Sequence, residues 1–271
     1  MKNSRIAADG LVLLGCGKMG SAMLEGWLAR GLPNTSVWVQ DPHPSDWLRG
    51  TGVQINAELP AAPAIVLVAV KPQMMREALP SLRAMGNGQT LFVSVAAGTP
   101  ISFFEESLGA DTPVVRAMPN TPAAISRGIT AIVANTRAGT QGLDEAEVLL
   151  SAVGEVVRLE DESQIDAVTG VSGSGPAYVF HMIEALAAAG VEQGLPSDMA
   201  MQLARATVAG AGALAVQSGE DPTQLRINVT SPNGTTQAAL EVLMDEENGF
   251  PALMRRAVAA AADRSRELAR G

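Results

Sequence analysis

One cysteine, two histidines and three lysines among 271 residues leave little room for several kinds of chemistry. The lone Cys16 cannot close an intrachain disulfide, in keeping with a reducing cytosol, and two His with one Cys offer no metal-ligand spacing. Cations are scarce. The formal net charge is −9 and the isoelectric point about 4.8, which argues against nucleic acid or an anionic membrane as partner, since clustered Lys and Arg hold both. The opening MKNSRIAADG has no apolar core before Gly10, and no later segment reads as an uninterrupted membrane-length span. The expectation is an untargeted, soluble, cytoplasmic protein. Repeats and low-complexity linkers are missing too. What is left is a chain of ordinary globular composition, 47% hydrophobic, long enough for one large domain or two ordinary ones.

Of the lysines Lys2, Lys18 and Lys71, the last two fall in or beside candidate phosphate-binding loops. The stretch GLVLLGCGKMG, Gly10 to Gly20, is an apolar run that stops at Gly15-x-Gly17-x-x-Gly20 and passes at once into the helical-looking SAMLEGWLARG. Strand, glycine turn and helix N-terminus in that order suit a pyrophosphate. The first glycine permits the sharp turn, the second lets backbone approach the phosphates, and the third lets the helix pack on the strand. Unpaired N–H groups and the positive end of the helix dipole face the anion. Cys16 reads as a small residue that fits beside a phosphate rather than as a reactive thiol.

Up to about residue 160, β-branched runs alternate with helix-period segments, as in βαβ units around a parallel sheet. Strands are expected at Leu11–Leu14, Ser36–Gln40, Ala64–Val70, Thr90–Val95, Pro113–Ala117, Ile129–Ala134 and Val156–Leu159, with helices at Met19–Arg30, Gln73–Met85, Ile101–Leu108 and Leu143–Val153. That order predicts an α/β Rossmann-type doubly wound sheet over residues 1–160, followed by an all-α region over 161–271. In the second region Tyr178–Ala189, Ser197–Ser218, Thr235–Glu247 and Phe250–Arg270 look helical. Two of them, in HMIEALAAAGVEQG and MAMQLARATVAGAGALAV, are apolar around more than one face and are expected inside a bundle or against another subunit.

Asp41 follows the second strand about twenty residues beyond Gly20, where an acid takes the ribose hydroxyls in dinucleotide-binding folds and would repel a 2′-phosphate. Asp41-Pro42 is equally a good turn opener. AIVLVAV ends in Lys71-Pro72-Gln73, placing a lysine at the strand edge where ligands bind, although a solvated strand-end lysine fits as well. In SVAAGTP, Ala96, Ala97 and Gly98 let a flat ring or a ribose come near backbone, and in RAMPNTPAA, Pro119 and Pro122 stiffen a loop that presents Asn120 and Thr121. Four successive strand ends converge on one crevice.

GCGKMG, AVKP (Ala69 to Pro72), SVAAG (Ser94 to Gly98), RAMPNTP (Arg116 to Pro122), GVSGSGPAY (Gly170 to Tyr178) and SPNGTT (Ser231 to Thr236) resemble, in order and spacing, the signature segments of the pyrroline-5-carboxylate reductases. The resemblance runs over essentially the whole chain. It implies NAD(P)H-dependent reduction of the C=N bond of 1-pyrroline-5-carboxylate to L-proline, the last step of proline biosynthesis, by a homodimer often built into a ring of dimers. By that resemblance Gly15, Cys16, Gly17, Lys18, Met19 and Gly20, with Asn56, Ala69, Val70, Lys71, Pro72, Ala96, Ala97 and Gly98, would contact the cofactor. Ser231, Asn233, Gly234, Thr235 and Thr236 would hold the substrate, with backbone N–H groups on its carboxylate and the Thr236 hydroxyl, the catalytic candidate, at the ring nitrogen. Asn233 stands where the family usually has Gly, which suggests a positive-φ position. Asp41 replaces the small polar or Ser/Arg-type residues often found there, which tilts the cofactor from NADPH toward NADH.

Hydride transfer to an imine carbon needs a close stack of nicotinamide on substrate and a proton donor at nitrogen. A Thr hydroxyl is too weak an acid to supply the proton unaided, so Thr236 is expected to orient the nitrogen and relay a proton. The residues before it read either as a nest of free N–H donors suited to a carboxylate or as an ordinary N-cap. His181, on an apolar helix, reads as a hydrogen-bonded core residue. A β-hydroxyacid dehydrogenase would need a catalytic lysine in the second domain, and none follows Lys71. A dinucleotide-sensing regulator without turnover would not need the SPNGTT segment.

Overall fold

Eight strands form a single sheet among residues 5–270, the part of the chain described by the computed structural model. Lys2 and the terminal Gly271 lie outside it. The elements run α1 (Arg5–Asp9), β1 (Leu11–Leu14), α2 (Lys18–Ala29), β2 (Val37–Gln40), α3 (Asp46–Arg49), β3 (Gln54–Ile55), β4 (Ile65–Val68), α4 (Met75–Ala78), β5 (Leu91–Ser94), α5 (Ile101–Leu108), β6 (Val114–Met118), β7 (Gly128–Ala134), α6 (Gly139–Leu150), β8 (Gly154–Arg158) and α7 (Gln164–Val168). Strand order is β3-β2-β1-β4-β5-β6-β7-β8, parallel throughout except that β7 runs antiparallel to β6. Direction of winding reverses at β1, whose Leu14 pairs with Gln40 on one side and Val68 on the other. Such a switch point opens a crevice beyond the strand ends.

Alternation along the strands explains why the sheet is covered on both faces. Leu11 and Leu13 with Ile65 and Leu67 enter one core, beside Met23, Leu24 and Trp27 of α2. Val12, Leu14, Val66 and Val68 enter the other, beside Met75, Leu79 and Phe104. Because successive side chains of a strand point to opposite faces, only a run apolar at every position can serve both.

The segment expected as one helix over Gln73–Met85 is instead a 3-10 turn at Pro72–Met74, the single turn α4, and a second 3-10 stretch at Leu79–Met85. Pro80 has no N–H for the carbonyl four residues back, so an α-helix cannot continue through it. The short elements β3, α3 and α7 were not foreseen.

A second compact unit spans Ser174–Ala260, while the segment from Ala261 belongs with the first unit, which runs to Gly173. The compositional change at 160/161 thus falls inside the first unit. There Ile165 enters the core and Asp166 accepts a 2.6 Å bond from Ser265. Helices α8 (Gly175–Glu192), α9 (Ser197–Ser218), α10 (Pro222–Asn228), α11 (Thr235–Leu243) and α12 (Phe250–Arg270) complete the chain. α8 approaches α9 at Gly190, where an added Cβ would sit 3.2 Å from that of Ala200.

Two expectations for this half are corrected, those for a membrane-length span and for His181, while the exposure of α8 and α9 on a single chain accords with their expected place against another subunit. α9 runs unbroken through Gly210 and Gly212, and an 18-residue stretch of its 22 residues has a mean hydropathy of 1.3, long and apolar enough to cross a membrane by length and composition. Only Ala200 and Ala204 of α9 are buried in the single chain, whereas Phe180, Leu203, Leu214 and Val216 stand at half exposure or more. An apolar surface of that extent calls for a cover. His181 is not a core residue: its side chain is 82% exposed and its Nδ1 lies 3.1 Å from Glu184.

Trp27 is fully buried against the sheet and donates its indole N–H to the Leu149 carbonyl at 2.9 Å. Trp27→Ala should therefore lower the unfolding free energy by about 3–5 kcal/mol. Urea denaturation followed by circular dichroism measures it, and a loss under about 1 kcal/mol, as for a surface site, would contradict the packing described.

Candidate active site

Each glycine of the turn after β1 has a separate spatial role. Gly15 has φ +89, and a Cβ there would press on Val70 and the Ala69 carbonyl at 2.8–3.0 Å. At Gly20 a Cβ would collide with the Gly15 carbonyl, so α2 could not lie so near the strand end. Gly17 faces open space and is exposed. It is the N-cap of α2, and no side chain bonds the N–H groups of the first turn. Those donors have no helical carbonyl either, which leaves them for an anion. Two tight glycines and one open one fit a dinucleotide pyrophosphate.

Neighbouring strand ends complete the crevice. Ala69 and Val70 lie against Gly15, and Lys71 beyond them is exposed. Pro72 and Gly98 line a common cleft of about 340 Å³ with Gln73 and Thr99. Ala97 beside Gly98 is exposed, and Ala96 is buried. Asn120 is turned to local use: its Oδ1 accepts the Ile129 N–H at 3.0 Å and its Nδ2 donates to the Ser172 carbonyl at 3.2 Å. Arg116, at the root of the same loop, is nearly buried and pairs with Glu162 at 2.6 Å. Glu162 also accepts the Ile101 N–H at 2.9 Å, tying β6 to the start of α5. Sequence reasoning did not foresee this tie, since nothing local pairs residues so far apart in the chain.

Asp41 closes the far end of the crevice. Its Oδ2 accepts the Cys16 N–H at 2.7 Å, and its Oδ1 accepts the His43 N–H at 2.8 Å, the bond of an Asp-initiated turn. Asn56 bonds the Asp41 main chain through both ends of its amide, at 2.9 and 2.8 Å. Burial first, and the charge of Asp41 second, push the Cys16 thiol up to about 11. At neutral pH it is a protonated, unreactive group.

In the second unit the SPNGTT segment forms a turn leading into α11. Asn233 sits at φ 58. The N-cap is Gly234, and no side chain caps the helix. Of the donors expected to be free, two are spent inside the turn: the Gly234 N–H on the Ser231 carbonyl at 3.0 Å and the Asn233 N–H on Gln237 Oε1 at 2.8 Å. Gln237 was not singled out from sequence, although glutamine three residues past the N-cap is a recognised capping position. The N–H groups of Thr235, Thr236 and Gln237, in the first turn, have no helical carbonyl to bond, since the first helical bond runs from Ala238 to Gly234. Thr236 is half-buried.

Comparison with known proteins accounts for both units. Residues 162–268 match the model of pyrroline-5-carboxylate reductase dimerisation, and residues 11–98 that of coenzyme F420-dependent NADP oxidoreductases. A pyrroline-5-carboxylate reductase of Pseudomonas aeruginosa is 41% identical over 265 residues, 96% of either chain. This chain belongs to the pyrroline-5-carboxylate reductase family. The structure of such a reductase from Coxiella burnetii superposes with TM-score 0.89 at 32% identity, covering 96% of this chain and 98% of that one. Another, from Plasmodium falciparum with NADP bound, gives 0.83 at 27% identity and covers 99% of each. The dimerisation match spans α8 to α11 and so explains the apolar side chains that α8 and α9 leave exposed on a single chain.

Cys16 is the only thiol, so its chemistry can be followed without labelling elsewhere. Alkylation by iodoacetamide should be slow at neutral pH and keep rising toward about pH 11, where half of the thiol has become thiolate. Asp41→Asn removes a neighbouring negative charge and should move the profile to lower pH. A rate already level by the ordinary cysteine range would contradict the environment described.

Proposed function

We propose that this chain catalyses the reaction of its family, reduction of 1-pyrroline-5-carboxylate to L-proline at the end of proline biosynthesis, with reduced nicotinamide dinucleotide as the hydride source. The observation that carries the reading is the glycine cradle at the switch point, in a chain related to these reductases over nearly its full length. When bound, the dinucleotide supplies hydride to the imine carbon. The protein's part is to bind, orient and move a proton.

In this reading Gly15, Cys16, Gly17, Lys18, Met19 and Gly20 form the pyrophosphate cradle. Ala69, Val70, Lys71 and Pro72 with Ala96, Ala97 and Gly98 line the crevice toward the nicotinamide. Asp41 and Asn56 stand at the ribose end, and Asn120 supports the adjoining loop. Two acceptor bonds hold the Asp41 carboxylate in place. A fixed negative charge there disfavours a 2′-phosphate, so NADH is the preferred coenzyme.

The substrate carboxylate takes the Thr235 and Thr236 N–H groups, with Ser231, Asn233 and Gly234 shaping the turn around it. The Thr236 hydroxyl orients the ring nitrogen and relays a proton to it from water; where the imine nitrogen is already protonated, hydride addition completes the amine and the hydroxyl only orients the iminium. Orientation of this kind is worth roughly 7–11 kcal/mol of barrier. Residues 1–160 carry the coenzyme, and 161–271 the substrate and the partner copy. Dimers assemble further into a ring in the cytoplasm, with no nucleic-acid or membrane partner.

Two measurements test this. Thr236→Ala should lower kcat/KM for pyrroline-5-carboxylate by about ten- to a hundredfold, the size of a lost orienting and proton-relay contact. An unchanged value removes Thr236 from the mechanism. Asp41→Ser should move the ratio of kcat/KM for NADH over NADPH by about tenfold toward NADPH, the effect of deleting one repulsive charge. A ratio that stays put removes Asp41 from coenzyme choice.

A further inference from the structure

We infer that Glu162 is a positioning residue for the reduction: by capping α5 from across the fold it fixes the loop 96–100 and so the place of the nicotinamide ring. The inference rests on the reading of that loop as the nicotinamide side of the crevice. The loop leaves β5 at Ser94, whose Oγ accepts the Ala96 N–H at 3.3 Å, and turns at Gly98, where φ is +69. It ends at Pro100, the N-cap of α5, whose ring has no acceptor to offer. The Ile101 N–H that follows has no helical carbonyl either. Glu162 fills the place of the missing cap, its Oε1 accepting that N–H at 2.9 Å. A carboxylate there also suits the positive end of the helix dipole.

The acid is itself held. The same Oε1 takes the guanidinium of Arg116 at 2.6 Å, and Arg116, opposite Ser94 on β6, has a side chain only 6% exposed. Ile165, three residues on, is buried in the core that contains Ile101 and Phe104. One helical turn beyond Glu162, Asp166 accepts the Ser265 hydroxyl at 2.6 Å, which fastens the end of α12. That end lies on the loop: a Cβ added to Gly98 would sit 3.2 Å from the Cβ of Leu268. The segment 162–166 therefore holds the loop twice, directly at Ile101 and through α12 at Gly98. Where the loop stands decides how near a ring beside it comes to the substrate, and a misplacement of about 1 Å costs about a hundredfold in rate. The Gly15–Gly20 turn does not depend on Glu162, so affinity for the coenzyme is separable from its orientation.

Removing the acid alone would strand a nearly buried guanidinium. The test therefore pairs Glu162→Leu with Arg116→Met, which empties the cap and leaves no buried charge. In this double variant the Ile101 and Ala97 amides of the coenzyme-free protein should exchange faster, and kcat for pyrroline-5-carboxylate should fall about tenfold, the effect of one lost hydrogen-bonded constraint. The calorimetric Kd for NAD+ should stay within about twofold, since the pyrophosphate contacts are intact. Glu162→Gln, which keeps an acceptor oxygen for Ile101, should retain kcat within about threefold. Glu162→Asp, too short to reach Ile101 but still an acid for Arg116, should lose kcat like the double variant and carries the test if that one does not fold. A wild-type kcat in the capless variants, or unchanged exchange at Ile101, overturns the inference. So does a Kd that rises in step with the loss of kcat, or a Glu162→Gln enzyme as slow as the double variant. The reading of the loop is checked separately in the wild type, where NAD+ should slow exchange of the Ala97 and Gly98 amides; no slowing there counts against the reading and takes the inference with it.

Discussion

The approach of α2 to the end of β1 depends on the absence of two side chains. A Cβ on Gly20 would strike the Gly15 carbonyl, and one on Gly15 would strike Ala69 and Val70. With either side chain present the helix could not begin directly behind the strand with its uncapped first turn open. The other features of the nucleotide half follow from that placement. The ends of β4 and β5 follow that of β1 along the sheet, and the two buried cores keep the strands in register.

Charge is used sparingly around this opening. The chain is acidic overall and has few lysines, so backbone N–H groups are offered to anions with little help from side-chain cations, Lys18 and Lys71 in the nucleotide half being the exceptions. That is so at α2 and again at α11, where Gly234 serves as N-cap without a side-chain acceptor. An acidic side chain at either cap would satisfy the helix and occupy the site. The Asp41 carboxylate comes near doing this at Cys16, but it binds a turn residue and leaves the first turn of α2 open. The apolar helices of the second unit show the opposite economy. Their exposed surface is what a dimerisation region needs, and the same property gives α9 the length and hydropathy of a membrane span.

Much of this was legible in the residues. Strands buried on both faces announce themselves as unbroken apolar runs, so Leu11–Leu14 and the neighbouring strands were placed within a residue or two. Ile101–Leu108, Ser197–Ser218 and Phe250–Arg270 were placed to the residue. The failures have local causes. Pro80 broke a helix that apolar spacing had suggested, and Gln54–Ile55 is too short to carry a period. His181 was read as buried because periodicity reports an apolar helix without saying whether its own chain covers it. At the site, glycine spacing and Asn233 at positive φ were readable, since backbone conformation selects residue type. The Asp41–Cys16, Asn56–Asp41 and Arg116–Glu162 bonds were not, because pairing across the fold leaves no trace in local sequence.

The central claim is that two uncapped helix N-termini divide the work, α2 holding a dinucleotide pyrophosphate and α11 a small carboxylate. A crystal structure of the dimer with NAD+ and L-proline tests it most directly. The account predicts pyrophosphate oxygens within hydrogen-bond reach of the N–H groups that follow Gly17, and the proline carboxylate on the N–H groups of Thr235 and Thr236. A dinucleotide seated away from the Gly15–Gly20 turn, or a carboxylate held elsewhere than the start of α11, would contradict it.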